Sequence, residues 1–190
     1  KSNNMQDEKG PSIYSDEEAR AAIRELFGFE SLLQGMKAFL PPALNDLILK
    51  AKDEVNSVAD FQQKIAHPLF KAIEKDSISE LTASGLEQLS PSEQYLFISN
   101  HRDIILDSAF LNIVLFERGF RTSQIAIGDN LMRHRISELI FHINKSFVVK
   151  RSGTPMELYR YSVLLSDYIH QQIAEKIDSV WIAQREGRAK

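Results

Sequence analysis

The residue in this sequence best suited to acid–base chemistry is His101. It comes directly after the apolar segment 95–99 and has two carboxylates close by, Asp103 and Asp107. Histidine changes charge near neutral pH, and a carboxylate that fixes its ring in one tautomer makes it an effective general base. A histidine is more often structural than catalytic, so the hypothesis depends on these two carboxylates.

The spacing limits how the three side chains can meet. Offsets of two and six residues do not place side chains on the same face of one helix. We therefore expect His101 in a turn before a helix, Asp107 reaching back from the second helical turn, and Asp103 capping the helix. Which of the two aspartates orients the ring stays open at this point.

Cations follow two other apolar segments. Lys150 and Arg151 come after residues 147–149, and the tripeptide 186–188, Glu-Gly-Arg, follows residues 179–183. Arginine offers a two-pronged donor for phosphate or carboxylate, and lysine offers a point charge. The basic pair can also be a solvated strand end, and the tripeptide a turn with a surface ion pair. If the strand ends lie close together, these cations surround the histidine, and the set favours a pocket for an anionic substrate.

Strand-like and helix-like segments alternate through the second part of the chain. Apolar segments at 95–99, 124–127, 146–149 and 179–183 are typical of buried strands, and alternation at 77–82 predicts one more. This order predicts an α/β domain whose largely parallel sheet is covered by helices. Ligands of such sheets bind beyond the carboxyl ends of the strands, where the polar residues described above occur.

The first part of the chain has a helical pattern instead. Ser15 or Asp16 is placed to cap a first helix, and Pro68 is expected to kink or break a fourth. We therefore divide the chain into an N-terminal helical region, residues 1–75, and an α/β domain, residues 76–190.

The composition is that of an ordinary globular protein. The 190 residues are 43% hydrophobic and 26% charged, which excludes wholesale disorder. The absence of cysteine excludes disulfides and thiol nucleophiles. A net charge of −3 argues against nucleic-acid binding, and no apolar segment approaches the ~20 residues of a membrane span. The histidines other than His101 have no metal-like spacing, so no metal site is predicted.

Residues 99–107, S-N-H-R-D-I-I-L-D, resemble the first block of the glycerolipid acyltransferases, the glycerol-3-phosphate and lysophosphatidate acyltransferase superfamily, whose hallmark is N-H-x-x-x-x-D. Later blocks occur in the family's order. They are G-D-N-L at 128–131, F-V-V-K-R at 147–151, which resembles F-I-R-R, and E-G-R at 186–188, which resembles E-G-T-R-S or E-G-G-R-S. The resemblance covers residues 76–190, and four ordered blocks are far more specific than one.

Two departures from the family pattern concern the predicted site. Five residues separate His101 from Asp107 where the family has four, and Arg188 directly follows Gly187, which makes the third block one residue short. The family's fourth, proline-containing block is absent. We therefore expect the α/β domain to be incomplete at its C-terminal end.

The resemblance implies transfer of a fatty acyl group from an acyl thioester, of coenzyme A or of acyl carrier protein, to a hydroxyl of a glycerol phosphate or lysophospholipid. His101 would be the general base and Asp107 would hold its imidazole. No cofactor or metal is implied, because the thioester is a co-substrate. The implied substrate-binding residues are Arg102, Lys150, Arg151, Glu186, Gly187 and Arg188.

Within that set the resemblance implies that Arg151 and Arg188 hold the acceptor phosphate, with Lys150 assisting and Glu186 positioning Arg188 or the glycerol. Two other functions stay open. One is acyl transfer to an acceptor without a phosphate, such as an amino-acid lipid. The other is a non-catalytic relative that binds lipid or acyl carrier protein, which the displaced aspartate favours.

Long-chain acyl substrates are membrane-soluble, so we expect a cytoplasmic protein that is peripheral at the inner face of the membrane. The candidate contact is an apolar face of the second helix. Packing within a helix bundle is the more frequent use of such a face. Its residues are Leu32, Leu33, Met36, Phe39 and Leu40.

Overall fold

The computed structural model describes residues 10–184. The strands are β1 (Leu96–Ser99), β2 (Gln124–Gly128), β3 (Ser146–Val149) and β4 (Val180–Ala183). The α-helices are α1 (Asp16–Leu26), α2 (Glu30–Phe39), α3 (Pro42–Ala51), α4 (Val58–Phe61), α5 (His67–Ser77), α6 (Leu106–Glu117), α7 (Arg135–Ile143) and α8 (Pro155–Ala174). Short helical turns occur at Lys52–Glu54, Gln62–Ala66, Leu86–Gln88 and Asp129–Leu131.

The four strands form one parallel sheet in the order β1-β4-β2-β3. The last strand of the chain therefore lies between the first and the second. Helices α6, α7 and α8 return the chain across the sheet, as parallel pairing requires, so all strands end at the same edge. We call this edge the carboxyl edge and the opposite one the amino edge. The predicted α/β architecture, with helices preceding a parallel sheet, is confirmed.

Two of the helices begin at reciprocal side-chain caps. The hydroxyl of Ser15 accepts from the N–H of Glu18, whose carboxylate accepts from the N–H of Ser15 at 2.8 Å. Thr154 and Glu157 repeat this arrangement at the start of α8. Such capping boxes satisfy N–H groups that the first helical turn leaves without partners. The cap at Thr154 fixes the start of α8 shortly after the carboxyl edge of β3.

The N-terminal helices and the helices of the sheet domain share one hydrophobic cluster. Leu26 of α1 is buried together with Leu139 and Ile143 of α7. The guanidinium of Arg135 joins the same two helices by donating to the carboxylate of Glu25 at 2.6 and 2.7 Å. The helical region thus rests on the layer that covers the sheet, and the division at residue 75 stays a prediction.

The predicted strand at 77–82 is wrong. Helix α5 continues to Ser77, and residues 78–84 have no regular secondary structure. Alternation of apolar and polar residues yields a strand only where a second strand can take up the backbone hydrogen bonds. Within residues 10–184, β1 pairs with β4 and no strand pairs with this segment.

Pro68 lies in the first turn of α5, directly after a π-helical turn, Gln62–Ala66, that joins α4 to α5. The backbone stays helical through this junction, at Phe61 and Gln62 and again at Ala66 and His67. A proline has no N–H to donate to the preceding turn, so a helix that continues past it departs from regular α-helical hydrogen bonding there. The fourth predicted helix is therefore interrupted just before Pro68.

The apolar face of α2 is mostly used inside the protein. Leu32, Met36 and Leu40 pack against the hydrophobic cluster, whereas Phe39 is 88% exposed. Bundle packing therefore accounts for much of this face and leaves Phe39 in contact with solvent. No helix between residues 10 and 184 has both the length and the apolar character needed to cross a bilayer.

Candidate active site

The turn after β1 brings the imidazole of His101 against the carboxylate of Asp107. Nδ1 of the ring lies 3.1 Å from Oδ2 of Asp107. An ionised carboxylate only accepts hydrogen bonds, so Nδ1 carries the proton and Nε2 keeps its lone pair. The side chains are 13% and 22% exposed, so the pair lies near the surface at the carboxyl edge. A histidine that is held in one tautomer and has a ring nitrogen with a lone pair near the surface is able to act as a general base.

Asp107 and Asp103 have different roles in this turn. Oδ2 of Asp107 also accepts from the backbone N–H of Arg102 at 2.7 Å and of Asp103 at 3.0 Å. The carboxylate of Asp103 accepts from the N–H groups of Ile105 and Leu106, and so caps the start of α6. Asp107 is therefore the aspartate that contacts the ring. It lies in the first turn of α6, not in the second turn as expected.

The extra residue between His101 and Asp107 is absorbed by the turn. Residues 100–105 precede α6 and wrap around the carboxylate of Asp107, which binds two successive N–H groups and the ring. The side chain of Arg102 is exposed, and its described contribution to the turn is its backbone N–H. The longer spacing thus keeps the histidine–aspartate contact.

One residue that the predicted site does not include, Trp181, contacts the imidazole. The ring of Trp181 on β4 meets the ring of His101 edge-on, with centroids 6.2 Å apart. Nε1 of Trp181 donates to Oγ of Ser99 at 3.0 Å. Strand register brings them together, because Phe97 on β1 pairs with Trp181 and side chains two residues apart share a face. Only the strand order, which the sequence did not provide, identifies this contact.

Arg151 extends from the end of β3 over the end of β2. Nε of Arg151 lies so close to Gly128 that a Cβ there would come within 2.5 Å of it. The backbone N–H of Arg151 and the hydroxyl of Ser152 both reach the carboxylate of Asp129, each at 3.3 Å. Gly128 therefore makes room for the guanidinium, and the direction of the side chain is toward β4 and β1.

Lys150 and Arg151 are directed differently, although they are adjacent in sequence. The ammonium of Lys150 lies 5.1 Å from the ring centroid of Tyr161 on α8, a cation–π contact. Successive residues at the end of a strand point to opposite faces of the sheet, which separates the two cations. Arg151 thus extends over the end of β2, and Lys150 contacts helix α8.

His101 and Arg151 follow strands on opposite sides of the sheet. β4 and β2 lie between β1 and β3, so the two strands are about 14 Å apart, three spacings of about 4.8 Å. Arg151 spans part of this gap because its guanidinium lies over Gly128. Glu186, Gly187 and Arg188 lie outside the described residues.

A comparison with known families matches the region of the chain that contains this site. A family model described as Acyltransferase matches residues 80–187, which is more than half of the chain and includes all four strands. A search of curated proteins found no match. The matched region contains the histidine–aspartate pair and Arg151, and it confirms the resemblance of the sequence blocks. The chain belongs to the acyltransferase family, within the glycerolipid acyltransferase superfamily.

Proposed function

We propose that this protein transfers a fatty acyl group from an acyl thioester to a hydroxyl of a glycerol phosphate or lysophospholipid. Family membership supports acyltransferase activity in general. The observation that carries the finer proposal is the contact of His101 Nδ1 with Asp107 at the carboxyl edge. That contact leaves Nε2 free to take a proton from an acceptor hydroxyl.

The reaction needs one proton carrier and no covalent enzyme intermediate. Nε2 of His101 removes the proton of the acceptor hydroxyl as its oxygen attacks the thioester carbonyl carbon. The C–S bond then breaks, and the proton passes from Nε2 to the leaving thiolate. Asp107 keeps the ring oriented and stabilises the imidazolium that forms between the two steps. The products are an ester and a free thiol.

The acceptor phosphate is assigned to Arg151. Its guanidinium is exposed at the carboxyl edge, where Gly128 lets it extend toward β1. A guanidinium forms paired hydrogen bonds with phosphate oxygens, which suits a substrate whose hydroxyl must reach His101. The resemblance adds Arg188 to this function, with Glu186 and Gly187 beside it and Arg102 near the histidine. Lys150 would assist through its charge, and its ammonium lies over Tyr161.

The donor would be acyl-CoA or acyl carrier protein as a co-substrate, with no metal or other cofactor. Such donors and acceptors bring the enzyme to the cytoplasmic face of a membrane. Phe39 is the residue of α2 through which we propose contact with the membrane, since it is 88% exposed.

The variant Phe39→Glu should float less with anionic vesicles than the wild type. Ala38→Glu is the control, because it adds the same charge at an exposed neighbour. Equal flotation of the two variants would show that Phe39 does not make the membrane contact.

Release of free thiol from palmitoyl-CoA tests the function directly. The purified chain is assayed with glycerol 3-phosphate, with lysophosphatidate, with a neutral lysolipid, with an amino-acid lipid, and with no acceptor. We expect release that depends on a phosphorylated acceptor, with the ester product detected by mass spectrometry. Release that depends on the amino-acid lipid alone would contradict the phosphate assignment. Release without any acceptor would indicate a thioesterase. No release from palmitoyl-CoA or from an acyl carrier protein thioester would favour the non-catalytic relative.

A further inference from the structure

We propose that Trp181 is a positioning residue that holds the imidazole of His101 in the orientation required for catalysis. The indole is 3% exposed, although it lies close to the surface histidine. Its ring meets the imidazole edge-on at a centroid separation of 6.2 Å, within the range of attractive aromatic pairs. The proposal rests on the proposed function, since it concerns the same base.

Two contacts let Trp181 restrict the histidine. The ring contact hinders rotation of the imidazole away from Asp107, which lies on Nδ1. The indole Nε1–H donates to Oγ of Ser99, and that hydroxyl donates to the carbonyl of Asn100 at 2.9 Å. The backbone leading to His101 is thereby tied to the centre of the sheet. Asp107 and Trp181 thus hold the ring by different contacts.

The position of Trp181 explains why an indole suits it. β4 lies between β1 and β2, so a side chain on its face lies under the turn that follows β1. A buried indole needs a partner for its N–H, and Ser99 supplies one within the same sheet. Phenylalanine would keep much of the ring contact and lose this hydrogen bond. It is therefore the informative substitution.

Fluorescence tests the contact independently of any activity. Trp181 is the only tryptophan in the sequence, so the emission of the protein reports on one position. The emission of an indole depends on the polar groups around it, so the imidazole in contact with Trp181 affects the emission spectrum. At one fixed pH we expect the emission spectrum of His101→Gln to differ from that of the wild type. The control His170→Gln should keep the wild-type spectrum, because His170 lies near the end of α8, toward the amino edge.

Kinetics test the positioning role. Trp181→Phe should lower kcat roughly tenfold to a hundredfold, the scale of a small misplacement of a catalytic group, while the KM for each substrate stays unchanged. Ser99→Ala, which keeps the indole, should lower kcat by a smaller factor. Unchanged kcat in folded Trp181→Phe, or an emission spectrum of His101→Gln identical to that of the wild type, would overturn the proposal. A spectrum that changes in His101→Gln, together with a wild type that releases no thiol, would contradict the proposed function and leave the contact established.

Discussion

The two edges of the sheet contain similar residue types in opposite environments. At the amino edge, Lys145 donates to Asp178 at 2.7 Å, and their side chains are 10% and 4% exposed. At the carboxyl edge, His101 and Asp107 are more exposed, and Arg151 is open to solvent. Both edges contain a carboxylate with a nitrogen partner. The Lys145–Asp178 pair is buried among its neighbours, whereas the His101–Asp107 pair lies near the surface.

The amino edge forms a closed hydrogen-bonded network. Asp178 also accepts from Gln124, which in turn accepts from the hydroxyl of Tyr168 at 2.6 Å. Arg121 adds an ion pair to Asp178 at 3.0 Å. Burial lowers the pKa of Lys145 and raises the pKa of Tyr168 to about 12. For both groups, the loss of hydration on burial changes the pKa more than any neighbouring charge or hydrogen bond does.

The carboxyl edge has unused hydrogen-bonding capacity instead. Among residues 10–184, no hydrogen bond is made by Nε2 of His101 or by the guanidinium of Arg151. Parallel sheets bind ligands at this edge, and unpaired polar groups in such a position favour a polar substrate. Charged residues of this one sheet therefore serve stability at the amino edge and are available for chemistry at the carboxyl edge.

Loss of a buried carboxylate at the amino edge should change the protein most, through its stability. Asp178→Ala leaves the buried ammonium of Lys145 without its carboxylate. Breaking a buried pair on one side costs about 3–5 kcal/mol, so the free energy of unfolding should fall by that amount in urea titration. Asp167→Ala, an exposed position on α8, should change it by less than about 0.5 kcal/mol. Equal effects of the two variants would show that the network does not stabilise the sheet.

The second prediction concerns Asp107 at the carboxyl edge. Asp107→Asn places an amide against Nδ1 and removes the carboxylate that stabilises the imidazolium. We expect kcat to fall about 100-fold, the lower end of the general acid–base contribution. Asp103→Asn is the matched control, because Asp103 caps α6 rather than contacting the ring. A larger loss of kcat in Asp103→Asn than in Asp107→Asn would reverse the assignment.

The smallest of these effects is expected from Arg151. Arg151→Ala should raise the KM for a phosphorylated acceptor about tenfold, the loss of about 1.4 kcal/mol of binding, with kcat nearly unchanged. Arg160→Ala, an exposed arginine on α8, is the control and should leave KM unaltered. Steady-state kinetics over a range of acceptor concentrations measures both. An unchanged KM in Arg151→Ala would mean that other cations hold the phosphate or that the acceptor has none.

Much of the fold and part of the site could be predicted from the sequence. Periodicity located the four strands within one or two residues, because short apolar segments between helical patterns are a strong local signal. The turn position of His101 followed from its spacing to Asp107. These features depend on residues that are close together in the chain.

The missed features depend on pairing between distant segments. The insertion of β4 between β1 and β2 places Trp181 beneath His101, and no local pattern encodes that order. The separation of Lys150 from Arg151 likewise depends on Tyr161 and Gly128, which belong to other elements. The false strand at 77–82 arose for the opposite reason, since its local alternation has no neighbour to pair with.

The turnover of His101→Ala with palmitoyl-CoA and a phosphorylated acceptor tests whether this imidazole is the general base. Removing a general base lowers the rate by about 10²–10⁴, so kcat should fall at least 100-fold. The melting temperature should stay near that of the wild type, because the ring is not part of the buried network. His170→Ala should keep full turnover. A His101→Ala protein that is folded and turns over at the wild-type rate would contradict the account.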